Sequence, residues 1–330
     1  MRADGDPQLG IGHISRCLYF VESIKSKVDI IFCIKKNAQI SEFLTSRNHI
    51  VDELDINISI KEEIDYLTEI SSDLLILDLR NKEDLYYQSC SEKFNKILRI
   101  DDSSLGINIY ANYYLNYNLY SIDINFNVRN KDCELFLGPN YYVLNPSFKK
   151  YKNYKRSFSS KARYILLTMG GGDPMNLTIK IAKALVGLKN IHLNIVLGKL
   201  YNGLSQIERL QGQFPKKISI FKNINNMHEM MAKNDLIIGT GGNTSFEAAY
   251  MGLPGVLINQ IDLQELNGVK YEENGIFKNL GLGENVSKYE IKKSVQSLIE
   301  DEKTRRKFSY NGKNLVKADG IDVIIEKFIN

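Results

Sequence analysis

The sequence lacks several features that would assign it to a specialised class of protein. No apolar run among its 330 residues reaches the roughly 18–20 residues of a membrane-spanning helix, and no secretory leader opens the chain. Tryptophan is absent, and a net charge of +4 is too small to indicate a nucleic-acid partner. The composition, 43% hydrophobic and 25% charged, suits two globular domains in a cytoplasmic protein, and no protein partner is indicated.

Cysteine is also scarce, and its spacing excludes the common metal sites. The chain has four cysteines, which form no CxxC pair and no ligand cluster: Cys17, Cys33, Cys90 and Cys133. Scattered thiols suit a reducing compartment rather than a disulfide framework. We therefore expect neither a structural zinc site nor a metal or organic cofactor.

The hydrophobic pattern alternates short apolar runs with helical segments, which predicts parallel sheets in an α/β protein. Strands are predicted at residues 28–34, 74–78, 96–101, 164–168, 192–196, 218–221, 236–239 and 255–258. Helices are predicted at residues 13–26, 176–188, 224–232, 244–251 and 263–274.

The organisation changes near residues 146–163, where lysines and arginines crowd a segment without apolar periodicity. We interpret residues 148–162 as a basic linker, with an anionic membrane surface as the less favoured partner for its charge. The linker separates a Rossmann-like domain at residues 1–147 from a second one at residues 163–330.

The most informative motif is the glycine turn at residues 10–17, which reads GIGHISRC and leads into a helix. Two glycines let backbone N–H groups approach a ligand, and the first turn of a helix offers unpaired N–H donors. His13 lies in this turn, and histidine exchanges its proton most readily near neutral pH. The turn predicts an anion site that includes Gly10, Gly12 and Arg16. The alternative is a packing turn that His13 caps.

Two similar turns occur in the second half of the chain. Residues 169–174 read MGGGDP, with Asn176 opening a helix, and residues 240–245 read TGGNTS, with Glu247 in the helix that follows. Both turns follow predicted strands, and open α/β sheets bind ligands at the carboxyl ends of their strands. Neither turn fits the phosphate-loop or the dinucleotide fingerprint, so an NTPase or a dehydrogenase is disfavoured.

These motifs, in this order, resemble the PseG/SpsG family of UDP-sugar hydrolases and spore-coat polysaccharide proteins. The resemblance spans nearly the whole chain and rests on residues 2–5, 10–17, 138–142, 170–173, 176–178, 241–247 and 252–254. It implies a GT-B-like fold, in which two doubly wound Rossmann-like domains face each other across a cleft, as in MurG-type glycosyltransferases.

The resemblance also implies roles for individual residues. His13 corresponds to the catalytic histidine, which takes a proton from the water that attacks the anomeric carbon. The residues implied to hold the UDP-sugar are Gly171, Gly172, Asn176, Gly241, Gly242, Asn243, Thr244, Ser245, Glu247 and Gln264. Glu247 suits a ribose, although an acid near the start of a helix also complements the helix dipole.

Three departures from the family pattern affect these expectations. Met1 directly precedes Arg2, so we expect the innermost strand to be missing, through a misplaced start or a compromised domain. Arg80 stands where the hydrolase has a tyrosine, and it suits a phosphate or carboxylate of a different sugar, or else a surface position. The hydrolase's late Asn-Gln pair aligns with Leu263 and Gln264, which predicts that its amide is lost.

Two acidic motifs remain open at this stage. Asp101 and Asp102 follow a predicted strand and could bind a metal or substrate, although paired aspartates are equally common in turns. The sequence Asp4-Gly5-Asp6 has the form of a metal-binding DxD, but the glycine turns favour metal-free binding of phosphate.

Three functions follow from the sequence. The preferred one is hydrolysis of a UDP-linked amino or deoxy sugar in surface polysaccharide or nonulosonate biosynthesis, including pseudaminic acid. The second is a GT-B glycosyltransferase in which His13 deprotonates an acceptor hydroxyl. The third is a sugar-nucleotide-binding protein without turnover, which the expected loss of the first strand supports.

Overall fold

The chain forms two α/β units in a computed structural model that describes residues 1–5, 12–24, 28–80, 82–102, 107–317 and 319–329. The first unit contains residues up to Pro146 together with the segment that starts at Asp319. The second unit contains Ser147–Ala318.

The first unit is built on a parallel sheet of seven strands in the order β3-β2-β1-β4-β5-β7-β9, beside a separate β6-β8 pair. Its elements are β1 (Arg2–Ala3), α1 (Gly12–Ile24), β2 (Ile31–Lys35), α2 (Ala38–Thr45), β3 (Ile50–Leu54), α3 (Ile60–Glu69), β4 (Leu75–Asp78), α4 (Asp84–Lys93), β5 (Ile97–Ile100), β6 (Asn108–Ile109), β7 (Tyr113–Asn116), β8 (Asn127–Val128) and β9 (Glu134–Leu137).

The second unit has a parallel sheet of six strands in the order β12-β11-β10-β13-β14-β15. Its elements are β10 (Tyr164–Leu167), α5 (Leu177–Leu185), β11 (His192–Leu197), α6 (Leu204–Gln213), β12 (Ile218–Lys222), α7 (Met227–Lys233), β13 (Leu236–Gly239), α8 (Asn243–Tyr250), β14 (Gly255–Asn259), α9 (Asp262–Glu273), β15 (Phe277–Leu282), α10 (Lys288–Glu300) and α11 (Glu302–Leu315). Helix α12 (Gly320–Ile329) then returns to the first unit.

Side chains of β2 show why these sheets are covered on both faces. Phe32 and Ile34 join a core cluster with Ile14 of α1 and Leu44 of α2, whereas Cys33 joins the cluster that contains residues of α3 and α4. Successive side chains of a strand point to opposite faces, so helices must cover both sides of an apolar strand. The expected doubly wound α/β architecture is therefore confirmed, and each predicted strand and helix coincides with an observed one.

Contrary to expectation, the innermost strand is present, although it has only two residues. Arg2 and Ala3 pair in parallel with β2 on one side and β4 on the other. The amino group of Met1 donates a hydrogen bond to the carbonyl of Ile31, and the N–H of Cys33 donates to the carbonyl of Met1. Beside this short strand lies an apolar cavity of about 340 Å³, lined in part by Met1, Val21, Ile24, Ile31, Leu75, Ile325 and Phe328.

The division of the chain also differs from the expected one at two places. Residues from Asp319 onward belong to the first unit. There, Nζ of Lys327 lies 3.0 Å from Oε1 of Glu134, and the ring of Phe328 packs edge-on against Tyr113. The basic segment packs against the second unit instead of forming a free linker: Phe148 is buried against His228. None of the helices in the described ranges is both long enough and apolar enough to cross a bilayer.

Candidate active site

The carboxyl edge of the first sheet gathers polar residues from several strands, because parallel strands all end at the same edge. These residues are Asp4 after β1, Asp78 at the end of β4, Asp102 after β5, and Asn116 with Tyr117 at the end of β7. Helix α1 begins at this edge and carries His13 and Arg16 one turn apart, so the two side chains lie on the same face of the helix.

His13 is held by a buried carboxylate. The histidine is 6% exposed, and its Nδ1 atom lies 2.6 Å from Oδ1 of Asp78. Burial alone would raise the pKa of Asp78, but the Arg16 guanidinium and the His13 ring outweigh burial and hold that pKa well below its usual range. Asp78 is therefore ionised and can only accept hydrogen bonds. Nη2 of Arg16, which can only donate, lies 2.9 Å from the same Nδ1 atom, but the contact with the carboxylate is shorter, so we assign a ring proton to Nδ1.

In the neutral form of the ring, a proton on Nδ1 leaves a lone pair on Nε2, the nitrogen that faces away from Asp78. Nε2 of His13 is buried and has no hydrogen-bond partner among the residues that the structure describes. A buried polar atom without a partner costs about 1–3 kcal/mol, so such atoms are rare unless a ligand or water completes them. The geometry suits a general base, whose positive charge after proton uptake Asp78 would stabilise.

Arg16 is the centre of this network and not a free ligand-binding group. Its Nε and Nη2 atoms donate to the two oxygens of Asp78 at 2.8 and 2.6 Å, and Nη1 donates to Asp102 at 2.7 Å and to the hydroxyl of Tyr117. The side chain is almost completely buried. Since most of its N–H groups are used, Arg16 orients Asp78 and thereby His13.

Asp102 connects this network to the surface. Its Oδ2 atom accepts the bond from Arg16, whereas its buried Oδ1 atom makes no hydrogen bond within the described ranges and lies 3.9 Å from Nη2 of Arg80. Burial opposes ionisation of Asp102, but Arg16, His13 and Arg80 together keep its pKa below the ordinary value. Arg80 itself has 37% of its side chain exposed.

The other acidic residues at this edge are paired with arginines. Asp4 binds the fully buried Arg2 through both oxygens, and Arg2 also donates to Glu63. Oδ2 of Asp101 lies 2.8 Å from Nη2 of Arg99. No group of three or more potential metal ligands occurs in the part of the chain that the structure describes. Asp6 and Gly10 lie outside the described residues.

In the second unit, the first glycine turn is closed by its own aspartate. Gly170 has a φ of +84°, which favours glycine, and the following turn brings Asp173 to the start of α5. Oδ1 and Oδ2 of Asp173 accept the N–H groups of Leu177 and Thr178 at 2.9 and 2.7 Å. The N–H groups at the start of α5, which the sequence predicts as phosphate donors, are therefore bonded to Asp173. Asn176 accepts a hydrogen bond from the hydroxyl of Tyr201. Gly171 and Gly172 belong to this same turn.

The second glycine turn, by contrast, opens onto an uncapped helix. Helix α8 has Gly242 as its N-cap, a residue that makes no side-chain capping hydrogen bond, and the N–H of Ser245 is bonded to the carbonyl of Gly242 at 3.0 Å. Asn243 is exposed and Thr244 is half-buried there, whereas the buried Ser245 donates its hydroxyl proton to the carbonyl of Gly242. Uncapped N–H groups and the helix dipole suit an anionic ligand.

Glu247 lies one turn further along α8 and is half-buried. No hydrogen bond from another described residue reaches its carboxyl group, and burial raises its pKa to about 8. Such a group gains free energy when a ligand hydroxyl donates to it. Glu247 is therefore a candidate for binding a sugar or ribose.

Besides the expected Gln264, amide side chains that the sequence pattern did not indicate hold the second turn in place. The buried Asn259 accepts the N–H of Gly241 at 2.7 Å, and Asn267 donates to the carbonyl of the same glycine at 3.1 Å. Gln264 accepts the N–H of Gln260, whose amide group donates to the carbonyl of Met169. Both glycine turns are thus tied to the segment that runs from the end of β14 into α9.

The expected loss of the Asn-Gln pair needs correction in this light. The expected position of the pair is Leu263 and Gln264, but the chain has an Asn-Gln pair four positions earlier, Asn259 and Gln260, at the end of β14. The signal that identifies it is local, because two amides directly follow a buried apolar strand. An amide therefore remains at this edge of the sheet.

The comparisons with known proteins agree with this architecture. Residues 165–324 match the model of the Glycosyltransferase family 28 C-terminal domain. The chain is 24% identical to the spore coat polysaccharide biosynthesis protein SpsG of Bacillus subtilis, an alignment that covers 97% of this chain and 94% of SpsG.

Two further relatives are longer than this chain. The uncharacterized protein MJ1062 of Methanocaldococcus jannaschii is 31% identical over 79% of this chain and 55% of its own length. The pseudaminic acid cytidylyltransferase and UDP-2,4-diacetamido-2,4,6-trideoxy-beta-L-altropyranose hydrolase of Helicobacter pylori is 23% identical over 97% of this chain. The chain spans about half the length of each of these two relatives, 55% and 53% respectively.

Solved structures show the same fold at low sequence identity. MurG of Acinetobacter baumannii superposes with a TM-score of 0.69 at 13% identity, over 96% of both chains. A UDP-GlcNAc 2-epimerase of Neisseria meningitidis superposes with a TM-score of 0.65 at 14% identity, over 99% of this chain and 98% of that one. The chain therefore has the GT-B fold of these enzymes, with a family 28 glycosyltransferase-like domain over residues 165–324 and SpsG as a relative along nearly its whole length.

Proposed function

We propose that this chain is an enzyme that uses a nucleotide-linked sugar, and that the reaction is hydrolysis with release of UDP. The observation that carries the proposal is the His13–Asp78 pair, which leaves Nε2 buried and without a hydrogen-bond partner among the residues that the structure describes. A base that is already oriented needs no rearrangement to accept a proton, and general-base catalysis of this kind contributes about 10²–10⁴-fold in rate.

In the proposed reaction, His13 Nε2 takes a proton from water while the water oxygen forms a bond to the anomeric carbon. The bond between that carbon and the diphosphate oxygen breaks, and its electron pair leaves with UDP. The second unit supplies the nucleotide site: the uncapped start of α8 receives diphosphate oxygens, and Glu247 accepts hydrogen bonds from ribose hydroxyls. The free sugar and UDP are the products.

The similarity to SpsG and to the Helicobacter pylori hydrolase supports hydrolysis and a role in polysaccharide or nonulosonate biosynthesis. The second candidate function is glycosyl transfer, which the match to the family 28 glycosyltransferase domain favours. In that reaction, His13 would deprotonate an acceptor hydroxyl instead of water. A binding protein without turnover is less favoured, because it depended on a missing first strand and β1 is present.

Release of UDP from a panel of UDP-linked amino sugars, with and without sugar acceptors, tests the proposal. We expect release without an acceptor, reduced about 10²–10⁴-fold in His13→Ala. The matched control is His49→Gln, which alters a half-buried histidine of the same unit, next to β3 at the opposite edge of the sheet. Release that requires an acceptor would establish transfer instead. Equal rates for His13→Ala and the wild type would rule out His13 as the base.

A further inference from the structure

Arg80 differs from the other described cations around the His13 network in having free donors. Arg16 uses most of its N–H groups on Asp78, Asp102 and Tyr117, and Lys82 is bound to Glu63 at 3.0 Å. Arg80 lies two residues beyond Asp78, at the carboxyl end of β4, with more than a third of its side chain exposed. Its guanidinium makes no hydrogen bond to any residue that the structure describes.

The one ion pair of Arg80 in the described ranges is loose. Its Nη2 atom lies 3.9 Å from Oδ1 of Asp102, which is beyond hydrogen-bond distance. That oxygen is buried and has no hydrogen-bond partner in the described part of the chain, while the other oxygen of Asp102 is held by Arg16 at 2.7 Å. The attraction of Asp102 therefore keeps the guanidinium close to the network without using its N–H groups.

The charges around His13 balance before any ligand arrives. Arg16 and Arg80 carry two positive charges, and Asp78 and Asp102 carry two negative ones. An added anion thus meets no excess negative charge, and the exposed part of the set is the guanidinium. A planar guanidinium with free N–H groups matches a carboxylate through two parallel hydrogen bonds.

From this arrangement we infer that Arg80 selects a nucleotide sugar whose sugar carries a carboxylate. The inference rests on the proposed function, since it names the class of sugar that the same site accepts. Arg80 would bind the carboxylate directly and so decide between an acidic and a neutral sugar, while His13 and Asp78 perform the same proton transfer on either.

A matched pair of probes tests this inference: UDP-glucose and UDP-glucuronic acid, which differ in carrying a hydroxymethyl group or a carboxylate at one carbon. Isothermal titration measures the affinity of both probes, and of UDP alone, for the wild type, Arg80→Gln and Arg80→Lys. We expect the wild type to prefer the acidic probe and Arg80→Gln to lose at least about tenfold of that preference, because a charged hydrogen bond is removed. Arg80→Lys should retain part of it.

The control is Lys93→Gln, which also removes one exposed positive charge but lies at the end of α4, at the opposite edge of the sheet. It should keep the wild-type preference. An equal ratio of affinities in the wild type and Arg80→Gln would overturn the inference. So would an equal loss of affinity for UDP alone, which would assign Arg80 to the nucleotide. Failure of the wild type to bind UDP at all would instead refute the proposed function.

Discussion

The two units place different chemistry at the same edge of the same kind of sheet. In the first unit, that edge contains buried ions, among which Arg16 and Asp78 are each exposed by less than 5%. In the second unit, the edge consists of glycine turns held by amide side chains, and its nearby acid, Glu247, has its pKa raised to about 8 by burial.

This difference separates two tasks that a group-transfer enzyme must perform. Buried ions fix the orientation of the His13 ring, since the carboxylate of Asp78 and the guanidinium of Arg16 both contact its Nδ1 atom. Backbone N–H groups carry partial charges that do not titrate, so a glycine turn can receive phosphate oxygens over a wide pH range. The first edge is suited to proton transfer and the second to holding the leaving nucleotide.

The largest expected effect comes from breaking the ion network of the first unit. Arg16→Met leaves Asp78 and Asp102 buried without their shared cation, and removal of one partner from a buried ion pair costs about 3–5 kcal/mol. Urea denaturation of the full chain measures this loss. Lys93→Gln, an exposed cation of the same unit, should change stability by about 0.5 kcal/mol or less. A loss below about 1 kcal/mol in Arg16→Met would contradict the network.

The same network predicts a dependence on acid. Because the pKa of Asp78 is lower in the folded protein than the ordinary value of about 4, its stabilisation is present above pH 4 and is lost as the pH falls further. The first unit of the wild type should therefore lose stability below pH 4. Arg16→Met should lose less over the same interval, since the cation that lowers this pKa is gone. Equal acid sensitivity of the two proteins would show that Arg16 does not set the pKa.

A smaller effect is expected from filling space at the second edge. A Cβ on Gly241 would collide with the backbone carbonyl of Gln264, so Gly241→Ala must displace the turn at a cost of about 1–3 kcal/mol. We expect UDP affinity, measured by titration, to fall about tenfold or more. Gly212→Ala is the control. Gly212 lies in α6 with open space around it, and alanine there should raise the free energy of unfolding by about 0.5–1 kcal/mol. Unchanged UDP affinity in Gly241→Ala would place the nucleotide elsewhere.

The sequence predicted the second edge better than the first. Its glycine turns follow apolar runs directly, so β10, β13 and the helices after them are evident from local pattern. The first edge depends on residues far apart in the chain: Asp78 is 65 positions from His13, and Tyr117 is 101 positions from Arg16. Spacing along a sequence carries no signal for such contacts, although both residues lie at strand ends.

There is also a physical reason why the hydrophobic pattern did not predict β3 and β1. β3 has the sequence IVDEL and a largely exposed Ile50, which suits an edge strand and lacks the continuous apolar run of a central one. β1 has two residues, one of them a buried arginine, and is held by Glu63 and Asp4. A buried ion pair in the middle of a sheet is not something that hydrophobic periodicity can predict.

A pH titration of nucleoside binding tests the acid of the second unit. Burial raises the pKa of Glu247 to about 8, so below that pH the free protein holds mostly the neutral acid. Ribose hydroxyls donate more strongly to a carboxylate than to a neutral acid, and uridine affinity should therefore rise about tenfold from pH 6 to pH 8. Uridine is the probe because it has no phosphate to titrate. Glu247→Gln should bind with little dependence on pH, and a wild type equally insensitive to pH would remove Glu247 from the site.

The smallest expected effect decides whether the two units unfold separately. Each unit has one complete capping box among its described helices, Ser59 with Glu62 at the start of α3 and Ser287 with Glu290 at the start of α10. In each box the serine hydroxyl accepts the N–H of the glutamate and the glutamate accepts the N–H of the serine, so serine to alanine should cost about 1 kcal/mol. If the units unfold independently, Ser59→Ala shifts only the transition of the first unit and Ser287→Ala only that of the second, as measured by calorimetry. A shift of both transitions by either variant would mean that the units unfold together, because a local cap can reach a distant core only through a shared cooperative transition.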